Sequence, residues 1–588
     1  MDIGEVLLIL SAIFSAISMY GFFKRLRLGL YALIGYNITI LLALFLLIYY
    51  FLIHDFNVLY VYEFSDLTLP VIYLISAVWA GKEGSLLLWV SFLAVMNLIF
   101  YFSKRDNVAL TISSFVFLFL TCVLITISNP FIRLNFTPPN GYGLNPLLRT
   151  IEMVLHPPVV FLAYSSMTIP FSIVLSGVYR RENWIKDARR WLLVTWIFLT
   201  LGIFLGMWWS YRVLGWGGFW GWDPVENASL LPWLTVTALL HGIIVEERRR
   251  GLRNLNFWLA VLSFDLVILA TFITRSGIIT SVHAFAESPV GEAYLLLIII
   301  STLLAFAIWM KRRDFMVSNQ VPTLSREYML FLNILLLLIS TFTVLLGTLA
   351  QISVSVSRRY YESIELPLMA IIIVLSGICT SMGWIFDRER FLRKLKVSIV
   401  VGILAGSIVF ALSKATILSV VVVICAFATI GHVFDINLSG RRFGGYIAHL
   451  GVMCLLIGAI GAWVYGVNYS VTLDVGQHAE IGSIEVKLLD VGMMEEFDKF
   501  VIVAKLWLKY GNDEFVLYPK DYVYKIMRPD RIVAVVDIIS TPFKDIYVAM
   551  PSFMHGFYFE IHIVPLIAFV WISMILLTFG GLYAIVRR

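Results

Sequence analysis

Residues 216–250 read WGGFWGWDPVENASLLPWLTVTALLHGIIVEERRR. The second half of this stretch decides the fold. Residues 229–245 form an apolar run of membrane-spanning length, and the cluster Arg248 to Arg253 stops it. Pro224 supplies a helix start, with Asp223 just before it in N-cap position. One span therefore runs from an aromatic, acidic end to a basic end. In the first half, Trp216, Trp220, Trp222 and Trp233 crowd around Asp223 and Glu226. Trp and Tyr gather where a helix leaves a bilayer, so an interfacial belt explains a bare Trp cluster as well as a platform for a flat ligand does. The rest of the stretch exceeds what a belt requires. Gly217, Gly218 and Gly221 let backbone approach a ligand closely, and they are followed by Asp223-Pro224-Val225-Glu226-Asn227.

The same pattern recurs along the chain. With 588 residues, 60% hydrophobic and only 14% charged, a soluble globular protein is excluded. About fifteen runs reach spanning length, from 4–22 at the start, through 157–178 and 446–464, to 562–585 at the end. The expected fold is an all-α polytopic membrane protein with a small β-rich domain inserted before the last helix. Residues 1–464 are expected to form the helical domain, with the Trp-rich loop at 208–233. Residues 465–561 alternate apolar and polar side chains around Gly511-Asn512-Asp513 and read as hairpin strands. Residues 562–588 form the last span, and the interrupted stretch 65–82 reads as an interfacial segment.

The net charge of +6 is topological in meaning and implies no nucleic-acid partner. Lys24 to Arg27, Lys104-Arg105, Arg180 to Arg190, Arg248 to Arg253, Lys311 to Arg313, Arg388 to Lys396, Arg441-Arg442 and Arg587-Arg588 all fall on one side when the N-terminus starts outside. The C-terminus is then cytoplasmic, and the β-rich domain and the Trp-rich loop lie outside. Cys122, Cys379, Cys425 and Cys454 stand singly in apolar segments, without a CxxC pair or zinc spacing, and read as small packing residues.

Nine histidines occur. Within hydrocarbon an ionisable group is costly and points to function. His241 lies near the inner end of the seventh span and His449 near the inner start of the fourteenth, so the two share a depth. His156 precedes Pro157-Pro158 at the outer mouth of the fifth span, and His283 lies in the outer loop between the eighth and ninth. These two share the outer face with the Trp-rich loop. His54, His432, His478, His555 and His562 are expected to pack or hydrogen-bond, although His432 also lies near the inner face.

The segment 216–233 resembles the tryptophan-rich WWD signature of the haem-handling proteins of cytochrome c maturation, and among them the CcmF-type subunits of the cytochrome c haem lyase. The resemblance extends to WAGKEGSLLLW at 79–89, LHPP at 155–158, TRSGIITSVHAFA at 274–286, LLGTL at 345–349 and AHLGV at 448–452, and so covers most of the chain. Phe219 and Gly221 depart from it, standing where the family more often carries larger aromatics. Lys82 stands where the family often has His, and no ligand role is assigned to it.

The resemblance implies a haem lyase, or holocytochrome c synthase, in a prokaryotic cytoplasmic membrane. It implies that His241 and His449 are the axial ligands of a permanent b-type haem, in keeping with their shared depth. It likewise implies that His156 and His283 flank a substrate haem held flat on Trp216, Trp220 and Trp222. From the start of the apolar run at 229 to His241 is roughly 18 Å at the rise of a helix, so the two haems would be stacked across the bilayer. The reaction adds the two thiols of a CxxCH segment across two haem vinyl groups. The thiols must come from apocytochrome c, because this chain has no such motif. Further implied partners are a haem chaperone of the CcmE type, other maturation subunits, and a membrane quinol as electron donor. Arg212 and Arg275 are candidates for haem propionates, or interface anchors. Asp223 and Glu226 are expected to shape the loop rather than transfer protons. Asp265, in mid-span, reads as a hydrogen-bonded carboxylic acid, with a proton or quinone path as the alternative. Two other functions compete. A protein that passes haem to a carrier without bond chemistry needs no permanent redox haem. An ion pump relies on rows of mid-membrane Lys and Glu, which are missing from the spans read here.

Overall fold

A computed structural model describes residues 1–279, 281, 289–436, 443–525, 532–552 and 556–586. His283, His555, Arg441-Arg442, Arg528, Arg531 and Arg587-Arg588 lie outside the described residues. In chain order the helices are α1 (Ile3–Phe23), α2 (Leu28–Leu52), α3 (Leu59–Phe64), α4 (Val71–Ala77), α5 (Lys82–Ser103), α6 (Asn107–Thr126), α7 (Ile151–Arg180), α8 (Ile185–Val213) and α9 (Pro224–Arg249). They continue with α10 (Arg253–Arg275), α11 (Val290–Lys311), α12 (Arg326–Ala350), α13 (Arg358–Ser381), α14 (Arg388–Ser413), α15 (Thr416–Val433), α16 (Phe443–Val464) and α17 (Ile567–Val586).

Among the described residues, 15 helices are long and apolar enough to cross a membrane. These are all but the short α3 and α4, and α4 falls within the interrupted stretch 65–82. Caps extend several spans beyond their apolar runs. The Thr150 side chain accepts from the Met153 N–H and starts α7 at Ile151, ahead of Pro157 and Pro158. Asp223 starts α9 at Pro224, five residues before the apolar run begins.

Between α16 and α17 the described residues form ten strands in two sheets. One has the order β1 (Val467–Leu473), β10 (Phe557–Pro565), β9 (Lys544–Ser552), β8 (Asp537–Ser540). The other has the order β2 (His478–Ile481), β3 (Ile484–Glu495), β4 (Lys499–Tyr510), β6 (Lys520–Tyr524), β7 (Ile532–Val535), with β5 (Asp513–Leu517) also on β4. Every second residue points into a shared core: Ile484, Val486 and Leu488 of β3, Ala504, Leu506 and Leu508 of β4, Ile546, Val548 and Met550 of β9, and Phe559, Ile561 and Ile563 of β10. One boundary expected from apolarity is corrected here. Residues 562–565 belong to β10 rather than to the last span, because they pair with β1 and β9, and α17 begins only at Ile567. A buried strand and a membrane helix are equally apolar.

α16 and α17 leave and re-enter the bundle around this domain and lie antiparallel to one another. Gly444, Gly451 and Gly458 recur every seven residues along α16, and a Cβ at any of them would run into α17. Without a hydrophobic drive between helices in lipid, such close backbone contact is what holds them together. A Cβ on Gly580 would sit 2.5 Å from the Gly444 carbonyl oxygen and 2.7 Å from the Ala448 nitrogen. Gly580→Leu is therefore expected to destabilise the pair by about 1–3 kcal/mol, read as a lower thermal unfolding temperature in detergent. Gly445→Leu, at a position with open space around it, should leave that temperature unchanged.

Candidate functional site

The Trp-rich loop is fixed from its downstream end. The Asp223 side chain accepts from the Val225 N–H at 2.9 Å, while Glu226 Oε2 accepts from the N–H groups of Gly221 at 2.8 Å and Asp223 at 3.3 Å. Asp223 and Glu226 thus form a reciprocal capping box with Pro224 in the first turn. Asn227, fully buried, donates to the Trp222 carbonyl at 3.1 Å, and Ser281 donates to Asp223 at 2.7 Å. These contacts tie the loop to the head of α9.

The glycines make room for neighbouring side chains of the protein. A Cβ on Gly218 or on Gly221 would lie 2.8 Å from the Trp216 ring, and one on Gly217 would lie 2.5 Å from His562 of β10. Gly217 also takes φ +69°, open chiefly to glycine. Gly221, one of the two departures from the family pattern, is thus occupied by the indole of Trp216. The other departure, Phe219, stacks on Trp463 of α16 at 5.1 Å and 5°.

Trp216, Trp220 and Trp222 do not form one flat platform. Trp222 is stacked face to face on Tyr361 of α13, with ring centres 4.8 Å apart and planes 3° apart. Trp216 lies over Gly218 and Gly221 and donates from its indole to Ser210 at 3.2 Å. Trp220 stands at 88° to Trp222, and of the three it alone lines the cavity beneath the loop. Tyr361 and Trp463 were missed in the sequence. Both lie at helix ends on the loop side, where depth arithmetic would have placed them.

That cavity, of about 550 Å³, is walled by Trp79, Trp209, Trp220, Phe161 and Tyr164, with His156, Arg275, Glu63, Glu152 and Glu226 as its basic and acidic groups. It falls in the size range of small-molecule sites and has their mixture of apolar wall and few polar groups. His156 of α7 donates from Nδ1 to the Gly202 carbonyl at 2.8 Å, which leaves Nε2 as the lone-pair nitrogen. A Cβ on Gly206 would lie 2.9 Å from the His156 ring, so the imidazole needs a glycine on α8. Arg275 is only 2% exposed, donates to Ser85 at 2.7 Å and lies over Phe161. Arg212 is placed elsewhere. It pairs with Glu152 at 3.3 Å, lies over Trp208, and lines a second cavity between α8, α17 and strands β7 to β9.

At the opposite end of α9, His241 faces His449 of α16 with ring centres 5.9 Å apart. Metal–imidazole bonds are about 2.0–2.1 Å, so two rings on either side of one metal ion have centres about 6 Å apart. His241 donates from Nδ1 to the Thr237 carbonyl at 2.8 Å, whereas the buried Nδ1 of His449 has no hydrogen-bond partner among the described residues. His432 of α15, expected to pack or hydrogen-bond, lies against His449 with ring centres 4.8 Å apart, and among the described residues neither of its buried nitrogens has a partner. Each such orphan costs about 1–3 kcal/mol. Lone apolar surroundings hid His432 in the sequence, although its depth matched that of the pair.

The other residues singled out in the sequence lie away from these two sites. Asp265 accepts from Ser301 at 2.5 Å and Thr302 at 2.8 Å, the hydrogen-bonded acid that was expected. The four cysteines are free, with Cys379 and Cys425 buried. Lys82 pairs with Glu83. His54 packs by Phe56, and His478 lies on an edge strand by Glu485.

His562 joins the loop to the β domain. Its Nδ1 donates to Asn468 at 2.8 Å, and burial pulls its imidazole down to about 4. The unfolded chain titrates near 6.5, so it takes up the proton first as pH falls. Stability from neutral His562 is complete above the unfolded value and is lost as pH falls from there toward 4. The unfolding temperature should accordingly drop between pH 7 and pH 4, and drop less steeply in His562→Gln. Parallel curves for the two proteins would contradict this.

Residues 79–280 match the family described as cytochrome C assembly protein. The cytochrome c-type biogenesis protein CcmF of Haemophilus influenzae is 32% identical over 94% of this chain and 92% of its own length. That of Escherichia coli is 32% identical over 92% and 89%. A solved structure named cytochrome c heme lyase CcmF has the same fold, with a TM-score of 0.85 at 24% identity, covering 99% of this chain and 97% of the other. With such identity sustained along nearly the whole of both relatives, the chain belongs to the CcmF family of cytochrome c-type biogenesis proteins.

Proposed function

We propose that this protein is a cytochrome c haem lyase that binds haem as substrate beneath the Trp-rich loop and joins its vinyl groups to the thiols of a CxxCH segment of apocytochrome c. The observation that carries this reading is the convergence of His156, Trp220 and Arg275 on one cavity beside the loop. The name of the solved relative, cytochrome c heme lyase, supports it. His156 offers Nε2 to the iron, and His283 is assigned as its counterpart from the sequence motif. Trp220 supplies an aromatic face, and Arg275 a guanidinium for a propionate. Trp216, Trp222, Gly217, Gly218, Gly221, Asp223, Pro224, Glu226 and Asn227 keep the loop in shape over the cavity.

In the reaction each thiol sulfur bonds to one vinyl carbon and its hydrogen goes to the other. The C=C bond becomes single, nothing leaves, and no net oxidation occurs. The thiolate is the competent nucleophile, so the protein's contribution is to hold the substrate with its vinyl groups accessible to the incoming peptide. The β domain and the loop then face outside in a bacterial cytoplasmic membrane, with the basic helix ends and the C-terminus inside. A haem chaperone of the CcmE type and other maturation subunits deliver the substrates.

His241 and His449 are assigned as the ligands of a permanent b-type haem, a reading supported by their 5.9 Å spacing and by the Nδ1 bond of His241 to the Thr237 carbonyl, which orients its ring. Such a haem supplies one-electron chemistry, here for keeping the substrate iron reduced with electrons from a membrane quinol. From Pro224 to His241 is about 26 Å along α9, so one helix spans from the loop to this pair.

Two experiments test the two sites separately. The purified protein is expected to show a reduced low-spin α-band that His241→Ala and His449→Ala each abolish; a full band in either variant refutes the ligand assignment. His156→Ala should keep that band while a co-expressed cytochrome acquires no thioether bonds.

For the loop, Trp220→Ala is expected to weaken outer haem retention by about 1–3 kcal/mol, by analogy with bases stacked on aromatics. Tyr361→Ala should lower it through the loss of the Trp222 stack. Trp507→Ala, on an exposed face of the β domain, should not. Equal retention in all three would make the loop an interfacial anchor.

A further inference from the structure

The histidines at the basic end number three among the described residues, not two. His241 and His449 face one another from α9 and α16, but they are held differently. The His241 ring is pinned in plane by its Nδ1 bond to the Thr237 carbonyl. A ligating histidine ordinarily has such a bond, which sets its tautomer and orientation. His449 has none among the described residues, where its buried Nδ1 is unpartnered. What lies against its ring instead is His432, from the last turn of α15, with ring centres 4.8 Å apart and planes inclined by 25°. Tyr446, one turn before His449 on α16, also lies against His432, with ring centres 5.5 Å apart, and is itself tied down by donating to Asp435.

His432 is 4% exposed, and both its ring nitrogens lack a hydrogen-bond partner among the described residues. A phenyl ring would stack on His449 equally well without burying two unsatisfied polar atoms. An imidazole in this place is explained if its polar edge has a partner when the site is filled. Resting on the reading of His241 and His449 as haem ligands, we propose that His432 is a positioning residue of the same site. Its face holds the plane of the His449 ring, and its nitrogens provide a polar contact for the haem held by the pair.

The test uses the full-length protein in detergent with three substitutions at 432 and one control. Readouts are the line positions of the low-spin electron paramagnetic resonance signal, which follow the axial ring planes, and the rate of haem loss to an excess of apomyoglobin. His432→Ala removes both face and nitrogens; it should shift the lines and speed haem loss roughly tenfold or more, the usual effect of losing an outer-shell partner. His432→Phe keeps a face; its lines should stay near those of the unsubstituted protein while haem loss remains fast. His432→Gln keeps a polar group and loses the ring; it should shift the lines but slow the loss relative to Ala. A His432→Phe protein indistinguishable from the unsubstituted one in both readouts overturns the proposal. So does His432→Ala that lacks the α-band entirely, as His449→Ala is expected to, since His432 would then be a ligand. A full band in His449→Ala would overturn the ligand assignment itself and this proposal with it, and is thereby distinguishable from failure at His432 alone.

Discussion

The capping box of Asp223 and Glu226 ties the two ends of the molecule together. An α-helix leaves its first N–H groups without partners inside the helix, and at the head of α9 those groups are taken up by the same acids that bend the Trp-rich loop. Glu226 reaches back past the cap to the Gly221 N–H, so the loop and the helix start are one hydrogen-bonded unit. α9 then runs as a rigid rod to His241. Any change in how the helix begins is felt in the loop above the cavity, and the axial position of His241 is fixed by the same register.

Around this rod the protein closes the loop with its own aromatics. Tyr361, Trp463 and the indole of Trp216 take up surfaces of Trp222, Phe219 and the glycines, leaving Trp220 to the cavity. The three rings named by the motif therefore divide between holding the loop and facing the cavity. Stacking commits a ring face to one neighbour, so a tryptophan packed on tyrosine at 3° has only its other surface left for anything else.

Polar groups within the spans follow the cost of leaving them unpaired in hydrocarbon. Asp265 is held by Ser301 and Thr302, and Glu365 of α13 by Ser340 and Thr343. These acids stand on different helices, each with its own hydroxyl donors. The three basic-end histidines contrast with them, since three of their nitrogens remain unpartnered among the described residues.

Much of the architecture was legible in the sequence because the bilayer imposes a length and a composition on every span, and because caps and breakers are local. The fifteen spans, the hairpin strands around Gly511, and the helix start at Pro224 all follow from side chains within a few residues of one another. Where those local signals are ambiguous, the boundary moved: 562–565 looked like helix until β1 and β9 supplied the pairing that makes it strand. The depths of His156, His241 and His449 were also computable, since a helix has a fixed rise per residue. Only the tertiary structure decided which helices are neighbours. The sequence held no sign that α13 and α16 would clamp the Trp-rich loop, that Arg275 and not Arg212 would enter the cavity, or that α15 would bring His432 against His449. Those outcomes depend on lateral packing among helices that lipid makes almost equally apolar on every side, and there close contact of small residues and shape selects the partners, which a linear pattern does not record.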